Sequence, residues 1–158
     1  MKWDTTMTVV AFLQALLTPA IAVLTTVIAV AQYRLAEARF RHELYERRSA
    51  VYKAAMTIIA RVTERGHTGL EDLHTFFRDT SEVAFLFKES NAKQIQAFLD
   101  EIHNKGHELA FLLPQLESKV LLDEDIQKIR REAMEILSWF GKQFDECRRL
   151  FAKDLSLV

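Results

Sequence analysis

The chain has few of the residues that build cross-links and catalytic loops, with one cysteine, four glycines and two prolines among 158 residues. A single cysteine excludes a disulfide within the chain and a Cys-x-x-Cys redox pair. Four glycines leave little material for a phosphate-binding loop, and neither a Walker motif nor a G-x-S-x-G motif occurs. We therefore expect no enzyme activity and no cofactor.

Charge is absent from one long stretch near the N-terminus. Residues Thr5 to Tyr33 form a run of 29 positions without Asp, Glu, Lys or Arg, although charged residues make up 27% of the chain. As a helix this run reaches about 43 Å, which is enough to cross a hydrocarbon core of about 30 Å. The sequence therefore predicts a transmembrane helix over residues 5–33, which we call the apolar segment.

A cleavable signal peptide is the alternative for the apolar segment, because the tripeptide Ala-Val-Ala at 29–31 has the small-x-small pattern of a cleavage site. Cleavage would release a secreted or periplasmic helical protein. However, the segment is longer than a signal-peptide core of about 7–15 residues. In addition, Asp4 reduces the positive charge before it, and Pro19 lies in its middle. These features favour a retained span.

Basic residues follow the apolar segment closely. Residues 34–53 contain six basic and three acidic residues, whereas residues 54–158 contain 14 basic and 18 acidic residues. Because Lys and Arg near a span tend to stay in the cytoplasm, we expect the N-terminus outside and residues 34–158 in the cytoplasm. The acidic balance of the C-terminal part argues against a nucleic-acid partner.

Three of these basic residues, Arg34, Arg39 and Arg41, are close enough in sequence to the span to attract anionic lipid headgroups. Membrane lipids are thus an expected partner. The alternative is that the arginines only set topology and form i,i+4 pairs along the helix, such as Glu37 with Arg41.

Small residues recur along one face of the apolar segment in alternating steps of four and three. We call this set the small-residue stripe: Ala11, Ala15, Thr18, Ala22, Thr25 and Ala29. Small residues let helices approach closely in lipid, and the amide of Gln14 beside the stripe needs a polar partner there. The pattern predicts a homo-oligomer, unless Ala and Thr are simply common in spans. Pro19 lacks an amide hydrogen and predicts a kink that can act as a hinge.

Helical periodicity continues to the C-terminus and predicts helices over about 34–65, 69–89, 92–113 and 123–154. No segment shows the alternation of a strand. The expected fold class is all-α, with one N-terminal transmembrane helix continuing into a cytoplasmic antiparallel helical bundle.

The second of these helices has two specific expectations. Thr68 and Glu71 have the spacing of a capping box at its start. Its inward face is predicted to carry Leu70, Leu73, Phe77, Val83, Ala84 and Phe87. The eleven phenylalanines of the chain are expected to lie largely in the core.

The stretch Arg39–Ala54, RFRHELYERRSAVYKA, resembles the juxtamembrane pattern of a broad group of small bacterial membrane-anchored proteins. Members of that group have one N-terminal span and a helical cytoplasmic part. FLFKES at 85–90 and WFGKQF at 139–144 are similar too, so the resemblance covers nearly the whole chain. It implies a bacterial inner membrane and this topology. The group has no established activity, so the resemblance implies no catalytic residue.

Two further sets of residues are candidates for a specific role. Asp100, His103 and His107 share one face of the third helix and could hold zinc, but their place beside its polar flank favours solvated side chains, so we expect no metal. Arg47 and Arg48 interrupt the apolar stripe of the first helix. They either fix its register or partner, or form a solvated face.

Two functions agree with these patterns. The first is a membrane-tethered interaction and assembly module that self-associates or docks a cytoplasmic protein partner. The second is an oligomeric membrane-active effector or small channel controlled by its cytoplasmic bundle. The direction in which Gln14, Thr18 and Thr25 point distinguishes them, because these side chains would pack tightly in the first case and face water in the second.

Overall fold

The computed structural model describes residues 3–116 and 123–155, and it describes side chains from residue 19 onward within these ranges together with those of Ala11, Ala15 and Leu17. The described ranges contain five helices, α1 (Trp3–Arg65), α2 (Leu70–Thr80), α3 (Val83–Leu86), α4 (Glu89–Gln115) and α5 (Asp123–Leu155). No strand occurs in the described ranges. The predicted all-α fold, a long apolar N-terminal helix followed by a helical bundle, is confirmed.

The chain forms two compact units, Met1–Glu43 and Leu44–Val158. The second unit, which we call the bundle, contains the C-terminal part of α1 and the other four helices. Contacts within it show that neighbouring helices alternate in direction. Asn91 at the start of α4 donates a hydrogen bond to Asp154 at the end of α5. Likewise, Arg61 near the end of α1 pairs with Asp72 near the start of α2.

The core of the bundle is formed by apolar side chains at helical spacing. Its largest fully buried side chains are Val51, Ile59, Val62, Leu73, Val83, Ile95, Ile102, Leu109, Phe140, Cys147 and Phe151. Burial of a side chain of the Val, Leu, Ile or Phe class stabilises a fold by about 1.5–3 kcal/mol. Each helix of the bundle contributes to this core, which agrees with the periodicity of the sequence.

The predicted second helix is two helices. Ser81 ends α2, where its hydroxyl donates to the carbonyl oxygen of Arg78 at 2.8 Å. Side chains of this kind compete with the helical hydrogen-bond ladder. Because of this break, α2 and α3 turn different residues toward the core from those predicted for one continuous helix. The buried residues are Leu73, Phe76, Val83, Leu86 and Phe87. Three residues predicted to face inward, Leu70, Phe77 and Ala84, are exposed.

The connection between α1 and α2 also differs from the prediction. Gly66 has a φ of 71° and its amide donates to the carbonyl of Val62, so it ends α1 in the left-handed conformation that glycine adopts without strain. Gly69 is the N-cap of α2, without a side-chain cap hydrogen bond. The prediction that Thr68 and Glu71 form a capping box is therefore wrong. The Thr68 hydroxyl is instead buried, without a hydrogen-bond partner among the described residues.

The phenylalanines do not all lie in the core. Among the phenylalanines whose side chains the structure describes, five are buried, namely Phe76, Phe87, Phe98, Phe140 and Phe151. Four others are exposed, namely Phe40, Phe77, Phe85 and Phe111. The expectation of a largely buried set is wrong for these four.

Candidate functional site

The N-terminal unit exposes its apolar side chains. Among the described residues, its large hydrophobic side chains are 46–66% exposed at Leu17, Ile21, Val23, Leu24, Val27, Ile28 and Val30. Within the described part of the chain, one helix near the N-terminus is long and apolar enough to cross a membrane, by length and composition. A contiguous apolar surface of this kind marks contact with lipid or with another protein.

The exposed surface of this helix has two different faces. At about 100° per residue, the large side chains listed above occupy about half of the circumference. Ala22, Thr25 and Ala29 lie on the other half, as do Ala11 and Ala15, and all five are exposed. The small-residue stripe thus has the one-sided placement that a helix–helix seam requires. The side chains of Gln14 and Thr18 lie outside the described residues.

The two described threonines of the segment bond within their own helix. The Thr25 hydroxyl lies 2.9 Å from the carbonyl oxygens of Ile21 and Ala22, and the Thr26 hydroxyl lies 2.8 Å from that of Ala22. Each hydroxyl hydrogen therefore has an acceptor without water. Pro19 lies inside α1, and the kink predicted from it stays a prediction.

The basic residues after the apolar segment lie on the surface. Arg34, Arg39 and Arg41 are exposed, and Arg41 donates to the Glu37 carboxylate at 3.0 Å. The predicted i,i+4 pair is therefore present. Such a pair contributes about 0.2–0.5 kcal/mol to a helix, so it leaves these arginines available for a stronger electrostatic partner.

Arg47 reaches the connection between α2 and α3, and Arg48 reaches the end of α3. Arg47 lies 3.6 Å from the Glu82 carboxylate. Arg48 Nε donates to the carbonyl oxygen of Leu86 at 2.8 Å, and its guanidinium carbon lies 5.6 Å from the centre of the Phe87 ring. A charge-assisted hydrogen bond and a cation–π contact thus hold α3 against α1. These arginines bind other parts of their own chain.

The candidate metal trio is not assembled into a site. Asp100 accepts a hydrogen bond from Gln96 at 2.9 Å. The rings of His103 and His107 pack edge to face with centroids 4.4 Å apart. Within residues 3–116 and 123–155, no group of three or more His, Cys, Asp or Glu side chains is placed to hold a metal ion.

His103 instead belongs to a row of rings on the surface between α2 and α4. Its ring centroid lies 5.3 Å from that of Phe77, and the ring centroid of His107 lies 6.2 Å from that of Phe111. Burial lowers the pKa of His103, and the neighbouring His107 lowers it further, whereas Asp100 acts in the opposite direction. At neutral pH the His103 ring is therefore held uncharged.

Cys147 behaves as a core residue. Its side chain is fully buried, and burial raises the pKa of its thiol to about 12. At neutral pH the sulfur is a protonated thiol without access to solvent, so it is neither a nucleophile nor a metal ligand. This agrees with its position on the apolar stripe of α5.

A shallow groove of about 350 Å³ lies between α1 and α2. Lys53 and Arg61 line it on α1, and Asp72 and Asp79 line it on α2. Arg61 pairs with Asp72 across the groove, so part of its charge is already neutralised within the chain. Sequence reasoning missed this groove because it depends on which faces of the two helices meet.

Phe85 is the second feature that sequence reasoning missed. Residues 85–87 read Phe-Leu-Phe, and three consecutive apolar side chains cannot all face one core from a helix. That run was the signal in the sequence that one of the three side chains must face away from the core.

No protein-family model matches the chain, and no curated protein or solved structure matches it.

Proposed function

We propose that the protein is a membrane-tethered helical module that self-associates or docks a cytoplasmic protein at a bacterial inner membrane. The exposed apolar surface of α1 is the observation that carries this proposal. Lipid tails cover the half of the helix with large side chains, and the small-residue stripe of a second copy covers the other half. The role is one of assembly and location, without catalysis.

The charges next to the apolar segment support the proposed orientation. Arg34, Arg39 and Arg41 are exposed immediately after the segment. Basic residues at this position favour a cytoplasmic bundle and an outer N-terminus. In that orientation the arginines face the anionic headgroups of the cytoplasmic leaflet.

The threonines of the apolar segment are compatible with a packed seam. The hydroxyls of Thr25 and Thr26 donate to carbonyl oxygens of their own helix, so a seam can bury them without leaving a donor unsatisfied. The proposed seam therefore needs no polar partner at these two positions.

A matched pair of substitutions tests the seam. Ala22 lies on the small-residue stripe, and Ala20 lies on the opposite half of the helix. Ala22→Leu should separate the helices and shift the protein toward monomer, whereas Ala20→Leu adds the same bulk against lipid and should leave the oligomer intact. Native mass spectrometry of the full chain released from nanodiscs measures the subunit number of each variant.

Two results would contradict the proposal. A wild-type chain that is monomeric in nanodiscs, or equal effects of the two substitutions, would remove the seam. Release of the chain from native membranes by alkaline carbonate would remove the membrane tether itself, because an embedded helix resists such extraction.

A further inference from the structure

The small-residue stripe has a continuation beyond the apolar segment. From Ala29, the last residue of the stripe, the same alternating steps of three and four lead to Gln32, Ala36, Arg39 and Glu43. These four residues belong to α1 within the N-terminal unit, and all four are exposed. Because they keep the period of the stripe, a seam between two copies of α1 would extend onto them past the membrane surface.

This continuation lines a shallow groove of about 430 Å³ on α1. The lining residues are Gln32, Leu35, Ala36, Arg39, Phe40 and Glu43. Leu35 and Ala36 supply exposed apolar surface, and Glu43, the last of the lining residues in the chain, supplies a carboxylate. Apolar surface next to a carboxylate suits the aliphatic stem and the guanidinium of an arginine.

Arg39 and Glu43 give this face one charge of each sign, one helical turn apart. Within the described part of the chain Arg41 pairs with Glu37, whereas Arg39 has no ion-pair partner. Glu43 already has an interaction within its own chain, but a carboxylate has two oxygens and accepts hydrogen bonds from several donors. The face is therefore complementary in charge to a second copy of itself.

The membrane sets the relative direction of two such copies. Every copy carries the same basic residues after its apolar segment, so all copies insert with their N-termini on the same side and their helices run parallel. In a parallel pair, each side chain of the seam enters a space between four residues of the facing helix. For Arg39, this space includes the seam residues just before and just after the same position, which are Ala36 and Glu43 of the second copy.

We infer that the interface between copies continues beyond the membrane, where Arg39 of each copy enters the groove of the other and pairs with Glu43 there. The inference rests on the proposed function and deepens it, since it names a second copy of this chain as the partner of this face. It assigns Arg39 to that copy instead of to lipid headgroups. Arg34 and Arg41 lie on the opposite side of the helix, so they still face the headgroups.

An exchange of charges between copies tests this pairing. A chain with Arg39→Glu carries carboxylates at both positions, and a chain with Glu43→Arg carries guanidinium groups at both. Each chain alone meets like charges across the seam, whereas a mixed oligomer restores opposite charges in both directions. We would mix the two full chains equally in detergent, reconstitute them into nanodiscs of phosphatidylcholine and phosphatidylglycerol, and determine the composition of each oligomer by native mass spectrometry.

Mixed oligomers should exceed the share expected from random mixing by about fivefold, which is the scale of one exposed ion pair. About 1 M salt should remove this excess, because it screens exposed charges. The matched control mixes Arg41→Glu with Glu37→Arg, which change the same charges on the opposite side of the helix, and these chains should mix randomly. A chain with both Arg39→Glu and Glu43→Arg should associate with itself as the wild type does.

Other outcomes separate the two proposals. Random mixing of Arg39→Glu with Glu43→Arg, while the wild type remains an oligomer, would overturn the pairing and leave the seam within the membrane in place. An equal excess in the control mixture would also overturn it, because the attraction would not be specific to this face. If Arg39→Glu weakens association only in nanodiscs with phosphatidylglycerol and mixes randomly, Arg39 serves the headgroups and the pairing is wrong. A monomeric wild type would overturn the proposed self-association, and the inference with it.

Discussion

The two units of the chain use apolar residues in opposite ways. In the N-terminal unit, the described large side chains between Leu17 and Val30 are exposed around half of the helix. In the bundle, side chains of the same types are fully buried, as at Ile59, Leu73 and Leu109. Since exposed apolar surface is unfavourable in water, the exposed helix needs an apolar surrounding. The proposed membrane span would supply it, whereas the bundle buries its apolar side chains within the chain.

The apolar segment and the bundle also differ in charge. Residues 5–33 contain no charged side chain, so pH and salt have little to act on there. The bundle holds ion pairs such as Arg61 with Asp72, and a histidine with a lowered pKa. Substitutions and pH changes should therefore affect the two units differently.

Truncation of a phenylalanine should matter in the bundle and not in the N-terminal unit. Phe151 is fully buried and contacts the rings of Tyr52 and Phe87. Phe151→Ala should lower the free energy of unfolding by about 3–5 kcal/mol, because it leaves a cavity in a packed core. Phe40→Ala removes a side chain that is 66% exposed, so it should change the free energy of unfolding little. Denaturant unfolding of the full chain in mild detergent, followed by circular dichroism, measures both. Similar losses for the two variants would contradict the division between the units.

Glycine substitutions test the packing inside the bundle at a smaller scale. A Cβ at Gly106 would lie 2.5 Å from a methyl carbon of Leu73, which is itself fully buried. Gly106→Ala should therefore lower the free energy of unfolding by about 1–3 kcal/mol, because the added methyl group overpacks the core. Gly141 is exposed in α5, and a Cβ there meets no atom within 4 Å. Gly141→Ala should stabilise the helix by about 0.5–1 kcal/mol. The same unfolding experiment compares them, and stabilisation by both would show that α2 and α4 are not in close contact.

Much of this architecture follows from the sequence alone. The absence of charge over residues 5–33 and the 3.6-residue period of the long helices are local patterns, and they predict the all-α fold. The small-residue stripe is local too, because positions along one helix determine which residues share a face.

The missed features depend on contacts between distant residues. The bond from Arg48 to Leu86 joins positions 38 apart in sequence, and no spacing rule predicts it. Nor did periodicity find the break at Ser81, where the hydroxyl and the backbone amide of Ser81 both donate to the carbonyl oxygen of Arg78. The exposure of Phe85 follows from that break, since the phase of α3 differs from that of α2.

The smallest expected effect is a dependence of bundle stability on pH. Burial and the neighbouring His107 hold the pKa of His103 below its ordinary value of 6.5. The unfolded chain therefore binds more protons than the folded chain just below pH 6.5. The stability that comes from the uncharged ring is complete above that pH, and it is lost as the pH falls through the lowered pKa. Acidification should thus destabilise the bundle.

His103→Gln removes the titrating ring and should reduce this loss, because glutamine stays uncharged at every pH in the range. The exposed residue His67 provides the control, and His67→Gln should keep the pH dependence of the wild type. Unfolding curves collected above and below pH 6.5 compare the three proteins. A pH dependence unchanged by His103→Gln would assign the effect to other groups in the bundle. If the dependence disappears in His103→Gln alone, the row of rings between α2 and α4 is the part of the molecule that senses acid, and the uncharged apolar segment takes no part in it.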